Sequence, residues 1–571
     1  MDIPHIESTQ LTIDDCRRLT GPSLVWDKTG ATLDVLIKGR DMDELLRCWY
    51  RQINDLLIAV NWPSPELTHR RYENGFNLLL AAPVDQLYSA TLTLETAWYF
   101  CCGEVLKKPV ENHDLLVKAV QDSMQSELFP LSTQLQQAAK DQAVDFLIDD
   151  ELISVGHGEG SIQWSVDDLP TPDQVNWATV HDVPVALVTG TNGKSTSVRI
   201  LDEIARVAGR VSGITSTDFV RVCDDVLDRG DYSGPAGARL LLRDKRLQVA
   251  FLEVARGGIL RRGLPLRRAM AALITNVSSD HLGEYGVNTL EALIETKFAV
   301  RQTLTDEAVL VVNADDGGIV EYMSRHPRNK VCWFSLDKNN PQIQQQLGSH
   351  DPCSFADNGE LFYFDGQTIS LICSIASIPM TMGGAALHNV RNALGATSVS
   401  IAMGFSIDNI RQGLVEFQSD ASDNPGRLNS FELKNGARVI VDFAHNAHSV
   451  EAVADTVKRL PANHRWVMCG SAGDRSDLDI RAIALGVCSM QPDHVVIVEV
   501  EAYLRGRALG EVSDIMKQVF LNNGLNESQV HLAESPLAGV STILSDISAQ
   551  DLGLLLVLDQ RDEVIDLINR S

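Results

Sequence analysis

The run Val185-Ala-Leu-Val-Thr-Gly-Thr-Asn-Gly-Lys-Ser-Thr196 passes from an apolar strand through a glycine turn into a helix that continues to about Val207, and it constrains this chain more than any other feature. Glycines there let backbone N–H groups curl round a polyphosphate, and the helix N-terminus adds a favourable dipole. Lys194 is placed to reach the terminal phosphates and Ser195 to ligate magnesium. The expected nucleotide contacts are Gly190, Thr191, Asn192, Gly193, Lys194, Ser195 and Thr196. The general G-x-x-x-x-G-K-[ST] pattern puts its first glycine at position 188, where this chain carries Val188, so Gly190 takes over the turn. The bland alternative is a chance glycine-rich loop, which average residue usage produces in roughly a few per cent of chains this long.

A P-loop alone does not separate kinase, ATPase, switch and ligase, so the downstream strand ends matter. Glu253 ends an apolar strand in Phe251-Leu-Glu-Val-Ala-Arg-Gly-Gly258, and His281 closes another in Ile274-Thr-Asn-Val-Ser-Ser-Asp-His281. In a doubly wound sheet ligands sit beyond the carboxyl ends of strands, which brings both side chains beside the phosphates. A carboxylate and an imidazole there suit a magnesium site. Taken singly, Glu253 reads equally well as a solvated strand-end charge, and Asp280 with His281 as a helix-capping pair.

At 571 residues the chain exceeds what one hydrophobic core supports, and three domains are expected. From about residue 180, β-branched runs alternate with helical stretches, with strands at Val183 to Val188, Val249 to Val254, Ala271 to Val277 and Ala308 to Val312. The fold class is α/β: a P-loop central domain over 178–422, with a small β-insertion at about 335–380, and a Rossmann-like carboxy-terminal domain over 426–571. The Pro425-Gly426 step marks the linker between them. In the last domain, Val439 to Phe443, Arg465 to Cys469, His494 to Val498, Gln529 to Ala533 and Leu552 to Leu558 read as strands. Residues 1–165 form a separate α+β domain, with a hairpin around Asp27 to Gly30 and amphipathic helices at Asp43 to Val60 and Ser132 to Leu147.

Charge and segment composition narrow the partners. With 49 basic against 76 acidic residues the formal charge is −27, which repels a phosphate backbone, so no nucleic acid is expected. The start, MDIPHIESTQ, lacks the basic and apolar regions of a signal peptide, and no apolar run reaches the ~18 residues that span a bilayer. A cytoplasmic protein without a membrane partner is expected; homo-oligomerisation stays open. The ten cysteines show no C-x-x-C spacing, so neither a zinc site nor a disulfide framework is indicated.

GTNGKS, the LEVAR glutamate, TNVSSDHLGEYG, LHNVRNAL, PGR and VDFAHN occur in the order and approximate spacing of the Mur ligase family, which the chain resembles over about residues 180–571. Closer still, GDYSGPAGARLLLRD, ARGGILRRG, GDRSDLDIR and LRGRALGEV are similar to the Mur portion of the cyanophycin synthetases. The segment from Arg18 to Trp26 and the run Ile153-Ser-Val-Gly-His-Gly-Glu-Gly160 resemble the first domain of those enzymes and the entry to their ATP-grasp domain, for which about thirty residues before the P-loop leave no room.

That resemblance implies ATP and two magnesium ions, with Lys194 on the phosphates, Ser195 and Glu253 on one ion, and Glu253 and His281 on the second. Lys297 stands where many Mur ligases carry a carbamylated lysine that serves as a metal ligand; the ordinary alternative is a solvated helix lysine. His388, Asn389 and Asn392 match the element near the adenine, and Arg427 with Asp442 match contacts to phosphate and ribose. His445 and Asn446 complete the D-[YF]-A-H-N string, in which Phe443 replaces the usual tyrosine and Ala447 the usual proline. The implied activity is an ATP-dependent ligase joining a carboxylate to an amino acid through an acyl phosphate; the alternative is a nucleotide-binding pseudoenzyme or regulatory partner of another ligase.

Between Arg239 and Arg268 lie Arg239, Arg243, Lys245, Arg246, Arg256, Arg261, Arg262, Arg267 and Arg268 against two acidic residues. Arg256 and Arg261 are expected to clamp an anionic acceptor of aspartyl or related peptide type, with Arg505, His445 and Asn446 completing the substrate contacts. The alternative for the basic run is a solvated edge. Arginine or another basic amino acid is the first amine to try.

Overall fold

The computed structural model describes every residue except Met1, Asp2, His5, Glu111, Asp280, His281, Asn329, Ser422 and Asp423. Two compact units emerge: Met1–Lys194 with Ala205–Trp333 and Ser398–Phe405, and Ser195–Ile204 with Phe334–Thr397 and Ser406–Ser571.

The first unit begins with a four-stranded sheet ordered Leu11–Leu19, Gly30–Ile37, Gly75–Ala81, Leu67–Tyr72, antiparallel throughout. Strand alternation decides its two faces. Ala31, Leu33, Val35 and Ile37 enter the core with Leu45, Trp49, Ile53 and Leu56 of the helix Met42–Ala59. The opposite positions, Thr32 and Asp34, are buried and polar, a combination that needs partners. Asp41 caps that helix, accepting from the N–H groups of Asp43 and Glu44.

One expectation for this region is corrected. The helix expected over Ser132 to Leu147 spans Pro130–Asp141; Ala143 then adopts φ +58, and the chain re-enters extended structure as the strand Phe146–Ile148. That strand belongs to a three-stranded antiparallel sheet with Leu152–Val155 and Ile162–Ser165. The hairpin expected around Asp27 to Gly30 is present as the antiparallel pair Leu11–Leu19 and Gly30–Ile37, joined by a loop over 20–29. The loop is long because its first residues are used elsewhere: the Thr20 N–H donates to the Arg262 carbonyl at 2.8 Å.

Further along the first unit, strands lie in the order Asp225–Arg229, Phe219–Val222, Ser212–Thr215, Val249–Glu253, Val185–Thr189, Ala269–Ile274, Leu304–Asn313. All pairs from Ser212–Thr215 onward are parallel. The P-loop strand Val185–Thr189 is buried at every position, as befits a strand covered on both faces, and its neighbours are Val249–Glu253 and Ala269–Ile274.

In the second unit, Cys353–Asp357, Glu360–Phe364 and Ile369–Ser374 form an antiparallel meander within the region expected as a β-insertion. A six-stranded sheet follows, ordered Asn429–Glu432, Arg438–Asp442, Leu552–Leu556, Arg465–Cys469, His494–Val498, Val530–Ala533, antiparallel only at its first pair. Val450, Ile480 and Met516, from three helices, pack into one core with this sheet, and Val540, Ile543, Val564 and Ile568 into another. This is the doubly wound arrangement of a Rossmann-like unit. No helix among the described residues is long and apolar enough to cross a membrane.

Candidate functional site

The P-loop turn is fixed by the residues that follow its neighbouring strand. Gly190 adopts φ +147 and Gly193 φ +86, and a Cβ at 190 would stand 1.9 Å from the Thr275 hydroxyl, so glycine is required at 190 on both counts. The Thr191 N–H donates to the Asn276 carbonyl at 2.8 Å, and the Asn192 N–H to the Asn276 side-chain oxygen at 3.1 Å. The Thr275 hydroxyl donates to the Asn192 carbonyl at 2.6 Å, and the Ser278 N–H to the Thr191 hydroxyl at 3.0 Å. Thr275-Asn276-Val277-Ser278 is therefore a mould for the loop, and Asn313 holds the mould by donating to the Thr275 carbonyl at 2.8 Å.

Three expected residues meet at this turn. The Lys194 ammonium donates to the Thr191 carbonyl at 3.0 Å and lies 3.9 Å from the carboxylate of Glu253, which is buried at the end of its strand. Lys297, on the helix Leu290–Lys297, is buried and donates to the Gly190 carbonyl at 2.8 Å. It is thus no solvated helix lysine. Asp280 and His281 lie outside the described residues.

Arg256 and Arg261 sit on the short helix Arg256–Arg262 that follows Glu253. Arg256 pairs with Glu284, and the Arg261 Nε donates to the Tyr285 hydroxyl at 3.1 Å. Glu284-Tyr285-Gly286-Val287 is a tight turn closed by the Val287 N–H on the Glu284 carbonyl at 3.0 Å, with φ +55 at Tyr285 and φ +71 at Gly286, as a type I′ turn requires. The rest of the basic run is largely engaged within the molecule. Arg243 binds Asp149, Ser154 and the Leu152 carbonyl, Arg246 pairs with Asp225 and Asp244, and Arg262 and Arg267 donate to the carbonyls of Arg18 and Asp27. Arg246, Arg261, Arg262 and Arg267 are nonetheless exposed, so the run combines internal pairing with a solvated side.

Sequence reasoning missed the residues that hold the Glu284–Val287 turn. Arg17 is buried with Asp34 at 2.5 Å, donates to the Leu260 carbonyl at 2.7 Å, and lies 4.4 Å over the Tyr285 ring. Asn77 donates to Asp34 at 2.7 Å and to the Tyr285 carbonyl at 3.3 Å, while Arg70 donates to the Gly286 carbonyl at 3.3 Å and pairs with Glu295 at 3.1 Å. A Cβ at Gly286 would meet the Tyr72 ring at 2.5 Å. No local sequence signal marks them; only the burial of Thr32 and Asp34 on the non-core face of the amino-terminal sheet shows that this face is covered.

In the second unit, the Asn424 side chain accepts from Arg199 at 2.7 Å and donates to the Thr196 hydroxyl at 3.4 Å. Asp442 accepts from the N–H groups of Leu428 and Ala444 at 2.8 and 2.7 Å; burial pushes its carboxyl up to about 6, against the lowering charge of Arg427. Arg427 lies 5.2 Å over the Phe443 ring. His445 bonds the Phe443 carbonyl, and Asn446 caps the helix Ala447–Arg459 through a capping box with Ser449. At the start of the helix Leu387–Ala402, Asn389 donates to the Met380 carbonyl at 2.8 Å and accepts from Asn392 at 3.2 Å. Burial and the Arg391 charge push His388 down to about 4, so its imidazole is neutral at pH 7. Arg505 pairs with Asp474 at 2.7 Å; Arg507, not anticipated, ties the same two loops by donating to the Gly473 and Arg475 carbonyls at 2.8 and 2.9 Å.

A P-loop moulded by its neighbouring strand end, with a buried carboxylate one strand away, defines a P-loop α/β protein with a second, Rossmann-like unit. Models of the Mur ligase middle domain and of the Mur ligase glutamate ligase domain match residues 188–400 and 426–556, and the chain belongs to the Mur ligase family. It is 35% identical over 372 residues to a cyanophycin synthetase of Geminocystis herdmanii, 65% of this chain and 41% of that enzyme. It is 26% identical over 337 residues to the UDP-N-acetylmuramoyl-L-alanyl-D-glutamate--2,6-diaminopimelate ligase of Bacillus cereus, 55% of this chain and 62% of the relative. The chain thus spans less than half the length of the cyanophycin synthetase it matches. Its fold is that of E. coli FolC, solved in complex with DHPP and ADP, at TM-score 0.51 and 21% identity, over 68% of this chain and 89% of that one.

Proposed function

We propose that this chain is an ATP-dependent acid–amino acid ligase that forms an amide bond through an acyl phosphate. The observation that carries the reading is the meeting of Lys194, Glu253 and Lys297 at one P-loop turn, with Lys194 3.9 Å from a buried carboxylate and Lys297 2.8 Å from the Gly190 carbonyl. Family membership supplies the reaction class.

The acceptor carboxylate attacks the γ-phosphate of ATP and expels ADP, giving the acyl phosphate; a neutral amine then attacks the acyl carbon, inorganic phosphate leaves and the nitrogen gives up a proton, leaving the amide. Lys194 and the P-loop N–H groups neutralise and orient the transferring group, so positioning and electrostatics do most of the catalysis. The donor set fits magnesium: Glu253 offers a buried hard oxygen beside the phosphate cradle, with Ser195 next to Lys194 in the chain, and His281 and a carbamylated Lys297 as the proposed remaining ligands. When bound, magnesium supplies further neutralisation of phosphate charge. Gly190 to Thr196 cradle the phosphates; His388, Asn389 and Asn392 take the adenine side, and Arg427 and Asp442 the phosphate and ribose.

On the acceptor side, Arg256 and Arg261 bind an anionic aspartyl or peptide-type carboxylate, with His445, Asn446 and Arg505 as further substrate contacts; arginine is the first amine to try. Incubation of the purified chain with ATP, magnesium, β-Asp-Arg-type acceptors and an amino-acid panel, read by mass, tests this. An amide product with stoichiometric phosphate supports it, whereas phosphate release without any amide, or no release across a broad panel, contradicts it.

A further inference from the structure

Just ahead of the P-loop strand, three chain segments converge on a buried polar cluster that the proposed reaction does not use. Asp145 follows the helix Pro130–Asp141, His157 follows the strand Leu152–Val155, and Asp182 precedes the strand Val185–Thr189. His157 is 1% exposed and Asp145 2%, while Asp182 is 22% exposed and opens the cluster to solvent. One oxygen of each carboxylate and one imidazole nitrogen lie within 4.8 Å of one another, the only such group of three His, Cys, Asp or Glu ligands among the described residues.

Distances argue against a simple hydrogen-bonded triad. His157 Nε2 is 3.5 Å from Asp145 and Nδ1 is 3.7 Å from Asp182, both beyond the ~2.7–3.2 Å of a direct N–H···O bond. Neither ring nitrogen has a hydrogen-bond partner among the described residues, nor does the Asp145 Oδ1. A fully buried imidazole with both nitrogens unused is rare, because each carries a desolvation cost that nothing offsets. A single ion takes one imidazole nitrogen, and one nitrogen of His157 with one oxygen of each carboxylate lie within 4.8 Å of one another, close enough for an ion bound at about 2.0–2.2 Å to draw the three together.

Charge points the same way. Two carboxylates around one imidazole leave an excess negative charge whether the ring is neutral or protonated; a divalent cation with a neutral ring brings the cluster to zero. The Arg267 N–H at 3.3 Å from Asp145 compensates only in part, and the Arg268 charge acts more weakly still. The backbone is preset: His157 lies between Gly156 at φ +72 and Gly158 at φ +57, its N–H bonds the His181 carbonyl at 3.0 Å, and both oxygens of Asp182 accept the Asp145 N–H at 3.1 and 3.0 Å. The local core is thin, with only Leu135, Ala139, Val144, Val155, Val175 and Val180 buried in it, the circumstance in which a structural metal contributes most.

We infer that Asp145, His157 and Asp182 form a zinc site, distinct from the phosphate site, that staples the segment over 145–182 at the entry to the P-loop strand. Nitrogen and carboxylate ligands suit zinc, and the partly exposed Asp182 side leaves a coordination position and an entry path.

The test is zinc content of the full chain, purified without chelator and equilibrated with zinc against a chromophoric competitor, with saturating ADP and magnesium present to occupy the phosphate site. One zinc per chain is expected, falling at least tenfold in His157→Gln and in Asp182→Asn, the latter chosen because its partly exposed position disturbs packing least. Cobalt substitution of the wild type is expected to give the visible absorption of a four- or five-coordinate ion. Absence of zinc from the wild type, or the same zinc content in both folded variants, overturns the assignment.

Discussion

Around Lys194 the fixing groups come from one stretch of chain: Thr275 to Ser278, just past the strand Ala269–Ile274, mould the loop, Asn313 at the end of the next strand holds the mould, and Lys297 on the helix between them closes the turn on the Gly190 carbonyl. Around Arg256 and Arg261 the fixing groups come from far upstream, with Arg17 binding the Leu260 carbonyl across 243 positions and Asn77 binding the Tyr285 carbonyl across 208. The P-loop turn is held by that one stretch, whereas the Arg256–Arg262 helix and the Glu284–Val287 turn, proposed above as the acceptor side, borrow their rigidity from the amino-terminal sheet. That sheet is thereby tied to the segment that carries Arg256 and Arg261.

If the two sides are separable in this way, variants on each move different observables. The largest effect is expected from Lys194→Ala, which removes a phosphate contact from a loop rather than core volume; turnover falls by about 10³-fold with folding intact by circular dichroism. Wild-type-like turnover contradicts the P-loop assignment. Arg17→Ala strands the buried Asp34 charge, at a cost of about 3–5 kcal/mol where such pairs are broken, and frees the Glu284–Val287 turn. KM for the acceptor is expected to rise about tenfold while ADP affinity, by calorimetry, is unchanged; equal loss of both refutes the division between the sides.

Smaller effects sharpen the comparison. Asp442 holds its proton up to about pH 6. Its folded value lies above the ordinary carboxylate range, so its contribution to stability is full below about pH 4 and is lost as pH rises through about 6. Ribose contact needs the ionised form, so ADP affinity falls as pH drops through about 6 by severalfold more in the wild type than in Asp442→Asn; parallel profiles remove Asp442 from the nucleotide contact. Tyr285→Phe loses one hydrogen bond to Arg261, worth about 1 kcal/mol, and is expected to raise the acceptor KM about threefold to sevenfold at unchanged kcat.

What the sequence made legible follows the same division. The strands Val185–Thr189 and Val249–Glu253 are legible because continuous apolar runs ending at a glycine turn and at a carboxylate read as buried strands, whereas Glu253 alone reads equally well as a solvated charge and only its burial decides the matter. Lys297 was placed by resemblance, and its burial against Gly190 gives that placement a physical basis. The clamp of Arg17, Asp34 and Asn77 was not readable, since an arginine and an aspartate seventeen positions apart on adjacent strands carry no local signature; only their pairing across the sheet buries them together. The helix overrun beyond Asp141 has a similar cause: amphipathic spacing continued through Val144 and Leu147, but these residues face the small core and sheet around Val155 rather than a continued helix stripe.

The central claim is that the acceptor carboxylate attacks the γ-phosphate. Oxygen tracing measures that step directly: an acceptor labelled with oxygen-18 in its reacting carboxylate is turned over with unlabelled ATP, and the released phosphate is analysed by mass. The account predicts one labelled oxygen in each phosphate, matched one for one by amide product. Unlabelled phosphate accompanied by amide, or release of AMP and pyrophosphate instead, contradicts it.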